Sequence, residues 1–294
     1  MPDPTAPCPS APKRTAFVFA GGGSLGAIEV GMLRELLYSG IRPDFVIGAS
    51  AGAINASFFA GMPSDEGVMR LEKLWREIRR RDIMPFGVWS LLKLFLRRQE
   101  HLVDNGALRR LLERCLGYGA IERAAIPLHV AASDRLSGDE VILSSGSVVD
   151  AVLASSAIPG VFPPVRIAGR ELVDGGVSSN TPVSAAVRLG ATHIVVLPAG
   201  FACALQVPPR GLVAQTLHAV SLVVSRQLVH DIERHSDRVR ISVVPPLCPL
   251  DISSYDYAQC GAMIDRAALT TRQWLAGGGL EAATEVGPLR FHTH

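Results

Sequence analysis

The run Gly48-Ala49-Ser50-Ala51-Gly52 follows an apolar stretch, Phe45-Val46-Ile47, and precedes a series of small residues. A serine hydroxyl displayed on a tight strand-to-helix turn is placed to act as a nucleophile. On that reading Gly48 and Gly52 permit the turn, and Ala49 and Ala51 leave the approach to Ser50 open. The same residues also fit a plain connection with a helix-capping serine, so the context has to decide. A second glycine run, Gly21-Gly22-Gly23-Ser24-Leu25-Gly26, follows the apolar stretch Thr15 to Ala20. It satisfies the dinucleotide fingerprint G-x-G-x-x-G, which also requires an acid at the end of the next strand. Here Asp44 stands before that strand, and its far end is Gly48-Ala49-Ser50. The competing reading is an oxyanion hole. Amides of Gly21, Gly22, Gly23 and Gly26 would converge beside the positive end of a helix, where one donor to developing negative charge is worth roughly 3 kcal/mol.

Ser50 needs a base to take its proton. Of the eight histidines, His292 and His294 lie in the tail, and His101, His218, His230 and His235 fall in helical, partly charged stretches. His129 and His193 take strand positions. None has the glycine-flanked setting of a displayed catalytic group. Asp174 differs: it ends the strand Glu171-Leu172-Val173 and is followed by Gly175-Gly176, with Asn180-Thr181-Pro182 starting a helix. That places it at the carboxyl edge of the sheet, although an aspartate before two glycines also makes an ordinary turn.

The elements that must position these residues read as strand–helix–strand–helix at the start. Thr15–Ala20 and Asp44–Ile47 are expected strands; residues 26–39 and 51–60 are expected helices, the first stopped by Gly40 and Pro43. Further strands are expected at 127–133, 171–173, 193–197 and 238–244, and helices at 104–116, 148–156, 182–189, 212–235 and 255–275. Such alternation gives a parallel sheet with helices on its faces, and both glycine-rich turns then open at one carboxyl edge.

Taken in order, Gly21–Gly26, Gly48–Gly52 and Asp174-Gly175-Gly176 resemble the three motifs of the patatin-like phospholipase family. The stretch from Ala154 to Pro163 and the pair Asn180 and Pro182 are also similar to that family, so the resemblance covers about residues 15–190. It implies a three-layer α/β/α fold in a single domain with a central, mostly parallel sheet. It further implies lipid ester hydrolysis by a dyad without histidine, with Ser50 as nucleophile, Asp174 as base and the glycine-run amides holding the oxyanion. The family often carries Lys or Arg where this chain has Leu25, so head-group preference stays open. Two other readings remain: a non-catalytic lipid-binding or regulatory module, and the dinucleotide-binding protein that the position of Asp44 disfavours.

Composition bounds the rest. The chain has 294 residues, 48% apolar, and a net charge of +2, which gives no reason to expect a nucleic-acid partner. Five scattered cysteines without a C-x-x-C pair suit reduced thiols in a cytoplasmic setting, and no cluster of Asp, Glu or His suggests a metal. No cofactor is expected. Residues 1–14 read as a proline-rich disordered tail, 15–276 as the hydrolase domain and 277–294 as a flexible tail. Residues 70–98 carry nine Lys or Arg against three acids, interleaved with Trp75, Trp89 and Phe95. This stretch fits either peripheral membrane contact or a helix pair with solvated charges.

Overall fold

A computed structural model describes residues 13–83, 101–200, 211–250, 252–281 and 289. The first half contains β1 (Thr15–Phe19), α1 (Gly26–Tyr38), β2 (Phe45–Ala49), α2 (Ala51–Gly61), α3 (Asp65–Glu77) and the single turn α4 (Arg80–Ile83). Then come α5 (Gly106–Cys115), β3 (Leu128–Asp134), β4 (Glu140–Leu143), α6 (Val148–Ser155), β5 (Val165–Ile167) and β6 (Arg170–Asp174). The chain continues through α7 (Val183–Arg188), β7 (His193–Leu197), α8 (Leu212–His235), β8 (Arg240–Val243) and α9 (Cys260–Ala276).

The eight strands form one sheet in the order β5-β6-β3-β2-β1-β7-β8, with β4 also paired to β3. Strands β3, β2, β1, β7 and β8 are parallel. The central strands β1 and β2 are buried along their whole length, with apolar residues on both faces, as a strand covered from both sides requires. Phe17, Phe19, Val46, Val130, Val195 and Leu197 point into a core shared with α1, α2, α3, α6 and α9. Ala16, Val18, Phe45, Ile47, Ile194, Val196, Ile241 and Val243 point the other way, against Val183, Ala186, Leu228 and Ile232 of α7 and α8. Two cores on opposite faces of one sheet make a three-layer α/β/α domain. Leu289 is buried in the second core.

The antiparallel part of the sheet sets the site. Val130 pairs with Gly48 of β2 and with Leu143 of β4, so β2 and β4 lie on opposite edges of β3. Ala132 and Ser133 pair with both β4 and β6, so β6 lies on the edge that β2 occupies. The β2 ladder ends at Ala49↔Ala131, and the β6 ladder ends at Asp174↔Ala132. Strands β2 and β6 therefore meet head-on along one edge of β3, which runs past the end of β2. Strand β6 is antiparallel to β3 and delivers Asp174 to the carboxyl end of β2 from the opposite direction.

Helices α3 and α4, with the link between them, account for the described part of the cationic segment. Ser64 caps α3 by accepting a hydrogen bond from Gly67 N. Trp75 is 2% exposed and donates through Nε1 to Asn55 Oδ1 at 2.7 Å, so it faces α2 and is unavailable to a lipid surface. Arg76 pairs with Glu72 and with Asp265 of α9. The remainder, including Trp89 and Phe95, lies outside the described residues. Among the described residues, no helix is long and apolar enough to cross a membrane.

Candidate active site

The turn between β2 and α2 is tighter than the five-residue motif suggests. Gly48 and Ala49 belong to the strand, Ala51 and Gly52 to the helix, and Ser50 alone connects them. It does so with φ 53° and ψ −122°, a region that costs a non-glycine residue on the order of 1–3 kcal/mol. The glycines permit the turn through close backbone approach and not through positive φ. Neither takes positive φ; a Cβ on Gly48 would strike the Gly52 carbonyl, and one on Gly52 would strike the carbonyls of Phe19 and Ala20. They let α2 start directly against β1 and β2, and the strain falls on the serine. Ser50 N donates to Ser155 Oγ at 2.8 Å, while Ser50 O accepts from Ala53 N and Ile54 N to open α2.

Asp174 meets this serine. Ser50 Oγ donates to Asp174 Oδ2 at 2.8 Å. Oδ1 accepts from Gly176 N at 2.7 Å, so the carboxylate also makes the turn, and both roles foreseen for it coexist on its two oxygens. Its backbone is held by Ser133 Oγ, which donates to Asp174 O at 2.8 Å, and by its own N–H, which donates to Ala157 O. Gly175 allows the turn to lie on β3, where a Cβ would strike the Ala131 carbonyl. Burial raises the Asp174 pKa from 3.8 to about 6, and the hydrogen bonds from Gly176 and Ser50 oppose the rise only in part.

The glycine loop closes the third side. A Cβ on Gly21 would stand 3.1 Å from Ser50 Cβ, so the loop abuts the elbow. Its amides are not equivalent. Gly21 N donates to Asn180 O at 2.9 Å, and Asn180 Nδ2 returns a bond to Gly21 O. Gly26 N donates to the carbonyls of Gly23 and Ser24, Ser24 N to Ser254 O, and Leu25 N to Gly22 O. The amides of Gly22 and Gly23 have no acceptor among the described residues. Thus two of the four expected donors, Gly21 and Gly26, are occupied by the fold. Gly26 instead sits where a Cβ would press on Ala51 and Trp75. Leu25 and Leu250 both close on Gly200, so the position the family often gives to a cation is apolar here.

No histidine among the described residues bonds Ser50. His129 pairs with Ser144, and His193 with Ser242. His235, Ser184 and Asp231 form a cluster that mimics a triad. However, Ser184 gives its one proton to Asp231 Oδ1 at 2.9 Å, so His235 Nε2 must donate to Ser184 Oγ and cannot receive a proton from it. Asp44 accepts from Thr15 N at the amino end of the strands, far from a ribose site at the carboxyl edge. Among the described residues no group of three His, Cys, Asp or Glu is placed to hold a metal.

Several contributors were not singled out as site residues in the sequence. Ser133 carries no motif signal, and Ser155 lies in the family-like stretch from Ala154 to Pro163 without a role assigned to it, because a buried hydroxyl looks like any other small residue until its partners are known. Tyr255 is the other. Its turn is tied to the glycine loop by Ser24 N to Ser254 O and Ser24 Oγ to Ser253 O. Burial, and then the Asp174 charge, push the Tyr255 hydroxyl above its ordinary pKa, so this ring belongs to the site's surroundings.

An elbow serine, a facing aspartate and a glycine loop thus stand together at the carboxyl edge of a three-layer α/β/α sheet. Residues 17–187 match the model of the patatin-like phospholipase family, and the chain belongs to that family. An uncharacterised NTE family protein of Mycobacterium tuberculosis is 33% identical over 173 residues, covering 58% of this chain and 28% of that protein. The neuropathy target esterase sws of Drosophila melanogaster is 27% identical over 187 residues, covering 63% of this chain and 13% of that one. The chain therefore spans less than a third of the length of either relative. Among solved structures, VipD from Legionella pneumophila aligns over 91% of this chain and 68% of that chain, at 18% identity and a TM-score of 0.47.

Proposed function

We propose that this chain is a serine acyl hydrolase that cleaves lipid carboxylic esters, of phospholipase A or general lipid acyl hydrolase type. The observation that carries the reading is the 2.8 Å bond from Ser50 Oγ to a buried Asp174 whose pKa stands near 6. At neutral pH that carboxylate is ionised, yet it is a far better base than an exposed aspartate. As Ser50 Oγ attacks the ester carbonyl, its proton passes to Asp174 Oδ2. The carbonyl oxygen becomes an oxyanion, which the amides of Gly22 and Gly23 stabilise. When the tetrahedral adduct collapses, the C–O bond to the alcohol breaks and protonated Asp174 returns its proton to the leaving alkoxide. Water then attacks the acyl-serine, gives its proton to Asp174, and the second collapse frees the carboxylic acid as Ser50 recovers that proton.

Strain also supports catalysis over a purely lipid-binding module. A capping or structural residue at this turn would be expected to be glycine, since serine pays for φ 53° without a structural return. A fluorophosphonate probe tests the reading directly. The expected result is one adduct, on the peptide bearing Ser50, that Ser50→Ala abolishes; an unlabelled wild type, or an adduct elsewhere, would contradict it. Peripheral lipid contact through the part of residues 70–98 beyond α3 is proposed as the route by which substrate is met. Co-sedimentation with anionic liposomes at low salt tests it, and absence of binding removes it.

A further inference from the structure

We propose that Ser155 is the positioning residue of the nucleophile: its buried hydroxyl bridges the Ser50 amide and the Ala131 carbonyl and holds Ser50 in the positive-φ conformation that aims Oγ at Asp174. The inference rests on the reading of Ser50 as nucleophile and adds a residue outside the dyad and the glycine loop.

The need for such a bridge follows from the sheet. The β2 ladder ends at Ala49↔Ala131, so the Ser50 amide falls in the gap before β6 begins at Ala132. Ser155 is the last residue of α6 and is 0% exposed. Its Oγ donates to Ala131 O at 2.5 Å and accepts from Ser50 N at 2.8 Å. Because its single proton is committed to Ala131, the oxygen facing Ser50 can only accept, which matches the N–H it meets. Next to it, Ser156 Oγ reaches Ser50 O at the longer distance of 3.5 Å, so the end of α6 holds Ser50 on both sides of its Cα. Asp174 is referred to the same strand by a different hydroxyl, Ser133 Oγ to Asp174 O. Strand β3 thus fixes the nucleophile through Ser155 and the base through Ser133. The separation between Ser50 Oγ and Asp174 Oδ2 is set by residues two apart on one strand.

The experiment compares S155A, S155T and, as a control loss of a buried hydroxyl, S57A; Ser57 Oγ is buried and has no hydrogen-bond partner among the described residues. For each, the rate of fluorophosphonate labelling, kcat and KM on a soluble p-nitrophenyl ester, and the melting temperature are measured. S155A is expected to lose about 10- to 100-fold in labelling rate and kcat, the scale of an ångström-level misplacement, with KM within about twofold. S155T, which keeps the hydroxyl, recovers most of the loss, and S57A matches wild type. Labelling of S155A at the wild-type rate would overturn the proposal, as would a folded S155T no better than S155A. If S155A fails to fold, S155C replaces it with the same expectations. If wild type itself is not labelled, the nucleophile reading fails on its own. The crystal structure of the Ser155 variant still decides the positioning claim. Ser50 is expected to leave positive φ and its Oγ to move beyond about 3.5 Å from Asp174; an unchanged elbow would overturn it.

Discussion

Asp174 is held where a carboxylate is poorly solvated, and this has two measurable consequences. Its pKa near 6 means that the ionised, proton-accepting form is lost as pH falls through that value, so kcat/KM should decline below about pH 6 with a single ionisation. A profile with its acid limb near pH 4 would show a solvated carboxylate instead. The second consequence is on stability. Between pH 3.8 and about 6 the native state holds this proton more tightly than the unfolded chain, so the group's contribution falls as pH rises through that window and then stays level. The raised value corresponds to about 3 kcal/mol of stability withheld at neutral pH. Asp174→Asn keeps an oxygen to accept from Gly176 N and turns an amide N–H toward Ser50 Oγ, which can accept it, without the charge. It should therefore unfold at higher urea than wild type at pH 7.5 by up to about that amount, and the difference should vanish near pH 3.5. Equal stability at both pH values would contradict the burial argument. At this scale the sequence pointed to Ser50 and Asp174 through their glycine-flanked settings and the family resemblance, and the structure brings the two side chains into contact. The division of labour among the glycine amides was not, because it depends on Asn180 and Ser254, which come from far along the chain.

The elements place these residues through two close junctions. Gly48 and Gly52 let β2 pass into α2 with one residue between them, so Gly52→Ala should push backbone against the carbonyls of Phe19 and Ala20. Overpacking against backbone costs about 1–3 kcal/mol or more. The expected outcome in denaturant titrations is a loss of that size together with loss of labelling, whereas a neutral effect would mean that the junction relaxes easily. Asn55 makes the second junction. Its Nδ2 donates to Gly26 O and to Glu29 Oε2, and its Oδ1 accepts from Trp75, tying α2 to the start of α1 and to α3. Trp75→Phe leaves Asn55 Oδ1 buried without that donor, and about 1–3 kcal/mol should be lost on urea unfolding. The central strands could be read from sequence because two buried faces demand continuous apolar runs. Strands β4 and β5 escaped notice: they are short and only partly buried, so neither alternation nor continuous hydrophobicity marks them. The head-on meeting of β2 and β6 was illegible for another reason, since pairing direction is not encoded in the residues of β6 themselves.

Across the whole molecule, one sheet carries both chemistry and stability. The parallel strands β2, β1 and β7 are fully buried between two helical layers, while β4 and β5 lie at its partly exposed flank. Hydrogen exchange should accordingly be slowest in β1, β2 and β7 and faster in β4 and β5, and the reverse order would contradict this arrangement. The site lies at the seam between these regions, where β3 leaves its parallel partner for an antiparallel one. The most direct test of the account is a kinetic panel at pH 7.5 on a soluble ester, comparing Asp174→Asn with alanine replacements of each histidine. The account predicts turnover lost by about a thousandfold or more in Asp174→Asn, the scale of a missing base, and every folded histidine variant within a few-fold of wild type. A folded histidine variant without activity, or an active Asp174→Asn, would contradict it.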